Sequence, residues 1–277
     1  MFAYYLLQKF KKCLEHAILQ EGEKGFSNII RSQKPINYIH EMIKQDLVKN
    51  GIVKENIFPP LGSSKPEIKL AGFFKQKDQD ICVIPNNNNN MDKNKILINW
   101  GSLNFENKED IYGFEFSQKC LVINIRSQMR SIAKNTDTLF ERTFAESLNL
   151  HMRYPKIVLG EFYLIPVREY SLKYSKRKQI GFEDKLTNIE KYISFFSAIS
   201  GRDSSNTDLW KYKKCCLMIV NLDSQKPFFY NNSYELKHDK IVSEYFALEY
   251  ADIGFDLFVS DLLKIYRNRF STKYGSR

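Results

Sequence analysis

The residues best equipped for chemistry lie in Cys120-Leu-Val-Ile-Asn-Ile-Arg-Ser-Gln128 and in Leu139-Phe-Glu-Arg-Thr-Phe-Ala-Glu146. An apolar run ending in Arg-Ser-Gln reads as a strand whose carboxyl end presents a cation, a hydroxyl and an amide. A helix follows and brings carboxylates to the same end. Such a set suits a divalent metal and a phosphate, because Mg²⁺ takes near-octahedral oxygen ligands and usually only one or two protein carboxylates. A cation beside the phosphate offsets the charge that develops during attack. Asp80 is the first carboxylate to consider, since it stands after Lys75-Gln-Lys-Asp-Gln79 and opens the apolar run Ile81-Cys-Val-Ile84. It should emerge at a strand end.

The elements that must position these groups follow from spacing. Residues 3–20 and 36–49 carry apolar side chains at helical intervals, as at Ile36, Ile39, Ile43 and Leu47, with Gly51 as a stop. Glu67 to Ile84 is rich in Ile, Leu, Phe and Val around Gly72 and a polar stretch, and predicts a long bent hairpin. Asn86 to Asn90 predict an exposed loop tip, and Lys95 to Trp100 a further strand or sheet edge. Next come a strand at 119–126, a polar turn, and a helix at about 138–152 with Phe140, Phe144, Leu148 and His151 or Met152 on one face. Pro155 closes that helix. A buried strand at 157–166, a basic loop from Lys173 to Lys178, a helix at 186–199, a strand at 215–222 and mixed helix from Tyr234 to Arg269 complete the chain. No linker rich in Pro, Gly or Ser and no repeat interrupts this order. The expectation is one α/β domain over residues 1–277, with a mixed central sheet flanked by helices.

This arrangement resembles the PD-(D/E)XK nuclease superfamily, and the stretch from Lys119 to Val167 resembles type II restriction endonucleases. The resemblance covers residues 36–167, about half of the chain, as a core of helix, three strands, helix, strand. It implies Mg²⁺-dependent hydrolysis of phosphodiester bonds in double-stranded DNA by a homodimer within a restriction-modification system. Asp80 takes the place of the first acid, with Gln79 where the family motif has a proline nearby. Asn124 and Arg126 occupy the positions of the second acid and the lysine, and both depart from the pattern. Asparagine offers an amide oxygen without charge, and arginine does not give up its proton. Some members carry the second acid on the following helix, which would make Glu141, fifteen residues after Arg126, the second metal ligand beside Asp80. Glu146 is the fallback, Glu67 a further ligand, and Lys75 or Lys77 a replacement cation. Ser127 and Gln128 would orient phosphate or water. The alternative implied by the departures is a DNA-binding protein that keeps the scaffold and has lost hydrolysis.

Each residue also has a plainer reading. Asp80 can be a polar hairpin position. Thr138-Leu-Phe-Glu141 is also a capping box. Arg126, Arg130 and Lys134 can form a solvated basic face, and Glu161, inside the apolar run Ile157 to Ile165, needs a partner if buried, most simply an arginine. Lys176, Arg177 and Lys178 belong to a tyrosine-interleaved basic run that could track a DNA backbone or merely face water.

Composition bounds the rest. With 43% hydrophobic residues the chain can build a core, and 42 Lys plus Arg against 32 Asp plus Glu give +10, which favours a polyanionic partner. The five cysteines form no C-x-x-C pair and read as reduced core residues of a cytoplasmic protein. The opening Met-Phe-Ala-Tyr-Tyr-Leu-Leu is too short for a signal-peptide core, so neither secretion nor a membrane span is expected. The four histidines lack metal spacing, and Gly72, Gly113 and Gly160 make no phosphate-cradling loop, so no nucleotide cofactor is expected.

Overall fold

The structure, a computed structural model, describes residues 2–85, 96–98, 101, 104, 108–204 and 206–270. The asparagine run 86–90, and Lys95, Asn99 and Trp100 of the expected strand, lie outside these residues. In chain order the first elements are α1 (Phe2–Arg31), α2 (Gln33–Lys49), β1 (Ile57–Phe58), β2 (Lys69–Ala71), β3 (Gln76–Asp78), β4 (Ile81–Val83), β5 (Ile96–Leu97) and β6 (Glu109–Asp110). The middle comprises α3 (Phe114–Ser117), β7 (Leu121–Ser127), α4 (Thr136–His151), β8 (Val158–Pro166), β9 (Arg168–Tyr170) and α5 (Leu172–Lys176). The last are β10 (Phe182–Leu186), α6 (Ile189–Ile199), β11 (Lys214–Asn221), β12 (Phe228–Phe229), α7 (Ser233–His238) and α8 (Phe258–Phe270).

A six-stranded sheet ordered β1-β4-β7-β8-β11-β12 organises the molecule. Strands β7, β8 and β11 run parallel at its centre, and β1, β4 and β12 pair antiparallel on the flanks. The mixed α/β class is therefore as expected. All nine residues of β8 are buried, which is why its sequence reads as a continuous apolar run: parallel strands in mid-sheet are covered on both faces. Alternate residues feed two cores. Leu121, Ile123 and Ile125 join Val158, Phe162 and Met218 against α1, α2 and α8. Val122 joins Leu159, Tyr163 and Leu217 against α4 and α6. The α8 layer closes down on Gly160, where a Cβ would fall 2.7 Å from Leu262 Cδ1.

Several local expectations change. The first helix does not end near residue 20: it turns at Gly22, whose φ of 64° suits glycine, and resumes to Arg31. The hairpin is not one unit. Strands β2 and β3 pair only with each other, from Lys69↔Asp78 to Ala71↔Gln76, whereas β4 belongs to the main sheet. The turn of the small hairpin is pinned to α4, because Asn149 Oδ1 accepts from the backbone of Phe74 at 3.0 Å and of Lys75 at 3.1 Å. The inward stripe of α4 is not its aromatic one. Leu139, Thr143, Glu146, Ser147 and Leu150 are buried, while Phe140 and Phe144 pack at its flank on Phe195 and Trp210 and Met152 is exposed. The helix begins at Thr136, two residues before Thr138, so the expected capping box does not form. The basic run from Lys173 contains the short helix α5. Among the described residues no helix is long and apolar enough to cross a membrane.

Candidate active site

Asp80 lies between β3 and β4, and its Oδ2 accepts a 2.8 Å hydrogen bond from the backbone N–H of Ile125 on β7. That bond ties Asp80 to the carboxyl-terminal half of β7. Since Val122 faces the α4 layer, the period of two sends Asn124 and Arg126 to the same face. Across the parallel pairing Asn124 stands beside Glu161 and Arg126 beside Tyr163. From above, α4 lowers Thr143 and Glu146 onto this patch.

Arg126 bridges the two buried carboxylates. Its Nη1 donates to Glu161 Oε1 at 2.5 Å and to Thr143 Oγ1 at 3.2 Å, and its Nη2 donates to Glu146 Oε2. Lys77 Nζ reaches the same Glu146 oxygen at 2.6 Å, and Arg142 Nε lies 3.5 Å from Glu146 Oε1. The arginine partner expected for Glu161 is thus Arg126. Burial raises the Glu146 carboxyl, but Arg126 and then Lys77 outweigh it, and the group is held below its ordinary value. Glu161 goes the other way: burial pushes it up to about 7, although Arg126 draws it down, and the charge on Glu146 adds to the rise. Burial disfavours the Arg126 charge, yet Glu161 and Glu146 together raise its pKa.

This asymmetry gives a pH signature. Between the ordinary carboxyl value of 4.5 and about 7 the folded protein keeps a proton on Glu161 that the unfolded chain has released. Stability is therefore lost as pH rises through that window. At about 1.4 kcal/mol for each tenfold change in the ionisation constant, the wild type should lose on the order of 3 kcal/mol more than Glu161→Gln between about pH 4 and about pH 8. Urea titrations of both proteins across that range check this. Parallel stability curves would mean that Glu161 ionises normally.

The patch opens to solvent. A cleft of about 520 Å³ is floored by Asp80, Arg126 and Ser127 and walled by Arg31, Lys77 and Arg142. A second depression of about 430 Å³ continues from it past Ser127 and Gln128 to Arg130. A third, of about 520 Å³, meets it at Lys77 and Asp80 and holds Glu67 and Asp78. Together they form a groove over the carboxyl end of β7.

Of the expected residues, Asp80, Asn124, Arg126, Lys77 and Glu146 come together, and Ser127 and Gln128 line the cleft beside them. Glu67 shares the third depression with Asp80, although Lys65 pairs with it. Glu141 is outside the cluster. It is exposed, because it stands five residues from Glu146 and so about 140° around the helix. Lys75 is exposed at the hairpin turn with its Nζ over the Phe74 ring. Arg130 is bound to Ser27 Oγ at 2.6 Å and to Glu23 at 2.8 Å, and Lys176 lies 3.9 Å from that glutamate. Lys134, Arg177 and Lys178 are exposed and line none of the three depressions. Thr143, Arg31 and Arg142 do not stand out in the sequence. Spacing holds a signal for the first: 139, 143, 146 and 150 mark one helical face, and polar residues on it ask for a polar partner below. His40, expected to be ordinary, is buried on α2, and burial lowers its pKa against the pull of Asp80.

Oxygen donors suited to a hard cation are present. Glu146 Oε1 and Asn124 Oδ1 are buried without hydrogen-bond partners, and Asp80 borders two of the depressions. Among the described residues no group of three or more His, Cys, Asp or Glu converges as a metal-ligand set. Mg²⁺ takes only one or two protein carboxylates beside water, and the chemistry of Asp80 and Glu146 suits that ion. Comparison with protein-family models, with curated proteins and with solved structures finds no match.

Proposed function

We propose that the protein is a magnesium-dependent endonuclease of double-stranded DNA, of the type II restriction kind. The observation that carries this reading is that Asp80 and Lys77 line one arginine-walled groove at the carboxyl end of β7, with Glu146 buried behind it and bonded to Lys77. Supporting it, when only the strands of the main sheet are counted, α2, β1, β4, β7, α4 and β8 come in the order helix, three strands, helix, strand, the order that the resemblance implies. Parallel α/β sheets bind ligands beyond the carboxyl ends of their strands.

In this reading Asp80 and Glu146 hold the metal, with the Asn124 amide oxygen near by, so the helix-borne acid is Glu146 in place of Glu141. When bound, Mg²⁺ would polarise the phosphate and lower the pKa of an attacking water. Lys77 is the cation for the scissile phosphate: it has one carboxylate partner and borders the cleft on both sides. Arg126 acts from beneath, holding Glu146 in place while Glu161 anchors the arginine. Ser127 and Gln128 lie where a phosphate or water would be oriented. Action as a homodimer on symmetric sites belongs to the same proposal, as does a cytoplasmic location, which suits five unpaired cysteines.

Purified protein with Mg²⁺ should cut mixed-sequence plasmid DNA into discrete fragments and be silent in chelator. Glu141→Gln should cut within about threefold of wild type, and Glu146→Gln at least about a hundredfold more slowly if it holds the metal. Equal activity of the two variants would remove Glu146 from the site.

A second reading is favoured by Arg126 itself. Both of its terminal nitrogens are committed to carboxylates and its neighbour Asn124 carries no charge, as in a scaffold that binds DNA without hydrolysing it. DNA binding indifferent to Mg²⁺, with no cutting of any DNA, would establish that reading and overturn the first.

A further inference from the structure

We infer that Arg31 and Arg142 form a two-sided clamp on the phosphate backbone of the DNA strand that lies over Asp80. The clamp rests on the nucleic-acid reading above and deepens it by assigning the contacts that carry affinity.

The two arginines come from opposite layers. Arg31 ends α1, on the face covered by α1, α2 and α8, and Arg142 projects from α4, on the other face. Both reach the cleft at the carboxyl end of β7, where the layers part, and both line it together with Asp80. A strand crossing the sheet end above Asp80 passes between them. Both side chains stay open to solvent. Arg31 is exposed and has no ion pair among the described residues. The Arg142 side chain is 66% exposed; its Nε lies 3.5 Å from the buried Glu146 Oε1, which leaves most of the guanidinium open to the cleft.

The basic residues that sequence alone suggests for this role are placed differently. Arg130 and Lys176 share Glu23, which neutralises part of their charge. Lys134, Arg177 and Lys178 are exposed and line none of the three depressions. Guanidinium groups are suited to phosphate because their planar fork donates two parallel hydrogen bonds. Two solvent-accessible guanidinium groups from opposite layers, with Asp80 lining the same cleft, match a phosphodiester chain whose central phosphate sits at Asp80 and whose neighbours sit on the walls.

Counterion release supplies the test. Removing the cation from one phosphate should lower the slope of log affinity against log salt by about 1. Binding of a fluorescein-labelled mixed-sequence duplex is measured by anisotropy over a range of KCl, in chelator so that cutting does not intervene. Arg31→Gln and Arg142→Gln should each lower the slope by about 1, and the double variant by about 2, without loss of thermal stability. Arg177→Gln/Lys178→Gln should leave the slope at the wild-type value. A wild-type slope in the double variant, or a fall in the Arg177/Lys178 control of the size expected for the clamp, overturns the assignment. Clamp and hydrolysis fail in different ways. Unchanged slopes in a protein that cuts DNA reject the clamp and leave the nuclease. A reduced slope in a protein that never cuts keeps the clamp and rejects hydrolysis. Wild-type protein that binds no duplex rejects both.

Discussion

Asp80→Asn should lower magnesium-dependent cleavage by roughly a thousandfold or more while duplex affinity in chelator stays within a few-fold of wild type. The size follows from what a metal contributes, several kcal/mol of charge stabilisation in the transition state, at about 1.4 kcal/mol per tenfold in rate. Asparagine is the informative replacement because Asp80 has two jobs. One oxygen accepts from Ile125 N–H, and an amide oxygen can still accept that bond, so the β4–β7 junction is preserved while the charge is removed. Asp80→Ala removes both and leaves a backbone donor short of its partner, which costs a further 1–3 kcal/mol or so of stability if water does not replace it. A rate unchanged in single-turnover cleavage by the asparagine variant would take Asp80 out of the chemistry. A drop shared equally with affinity would make it a binding residue.

Arg126→Met should destabilise the fold by roughly 3–5 kcal/mol at neutral pH, the range for removing one partner of a buried charge network. The arginine is largely shielded and lies between two carboxylates that are nearly inaccessible, with side chains 3% and 0% exposed. Without it, Glu146 keeps Lys77, but Glu161 faces a low-dielectric surrounding with no cation bonded to it. Its raised pKa tells how the protein would respond: Arg126 is one of the influences drawing it down, so the variant should keep Glu161 protonated to still higher pH. The penalty should therefore shrink in acid and grow in base. Urea denaturation near pH 5 and near pH 8 separates the two regimes, and Arg126→Met/Glu161→Gln should recover much of the stability at the higher pH. A deficit under about 1 kcal/mol at both pH values would show that water relieves the cluster. Arg126→Lys should recover only part of the stability, because a single ammonium lacks the planar fork that reaches Glu161 and Glu146 at once.

Much of the scaffold is legible in the chain itself. The run at 157–166 reads as a buried strand, and the strands expected at 119–126 and 215–222 are found at Leu121–Ser127 and Lys214–Asn221. The 36–49 periodicity gives α2 nearly to its ends. Glu161 inside an apolar strand calls for a counter-ion because the cost of burying a lone carboxylate is so high, and Arg126 answers that need. Elsewhere local pattern points the wrong way. Phe140 and Phe144 outrank Thr143 and Glu146 in hydrophobicity, so a reading by apolar spacing turns α4 toward its flank and puts Glu146, which is buried, on the solvent side. The hairpin at 67–84 is continuous in composition, but its outer half is held by Asn149 on a helix about seventy residues away.

What the sequence determines alone is the inventory: which segments alternate with period two, which follow helical spacing, and that an aspartate, an asparagine, an arginine and several glutamates sit near strand and helix ends. These features are local, set by backbone geometry and the burial of nearby side chains. Tertiary structure decides which of them meet. The rotation of α4 over the sheet is set by the packing of its whole inner face, and that rotation puts Glu146 on Arg126 and Lys77 and leaves Glu141 in water. The facing of Arg31 and Arg142 likewise depends on two layers meeting at one strand end, a juxtaposition of residues more than a hundred positions apart that no local spacing encodes.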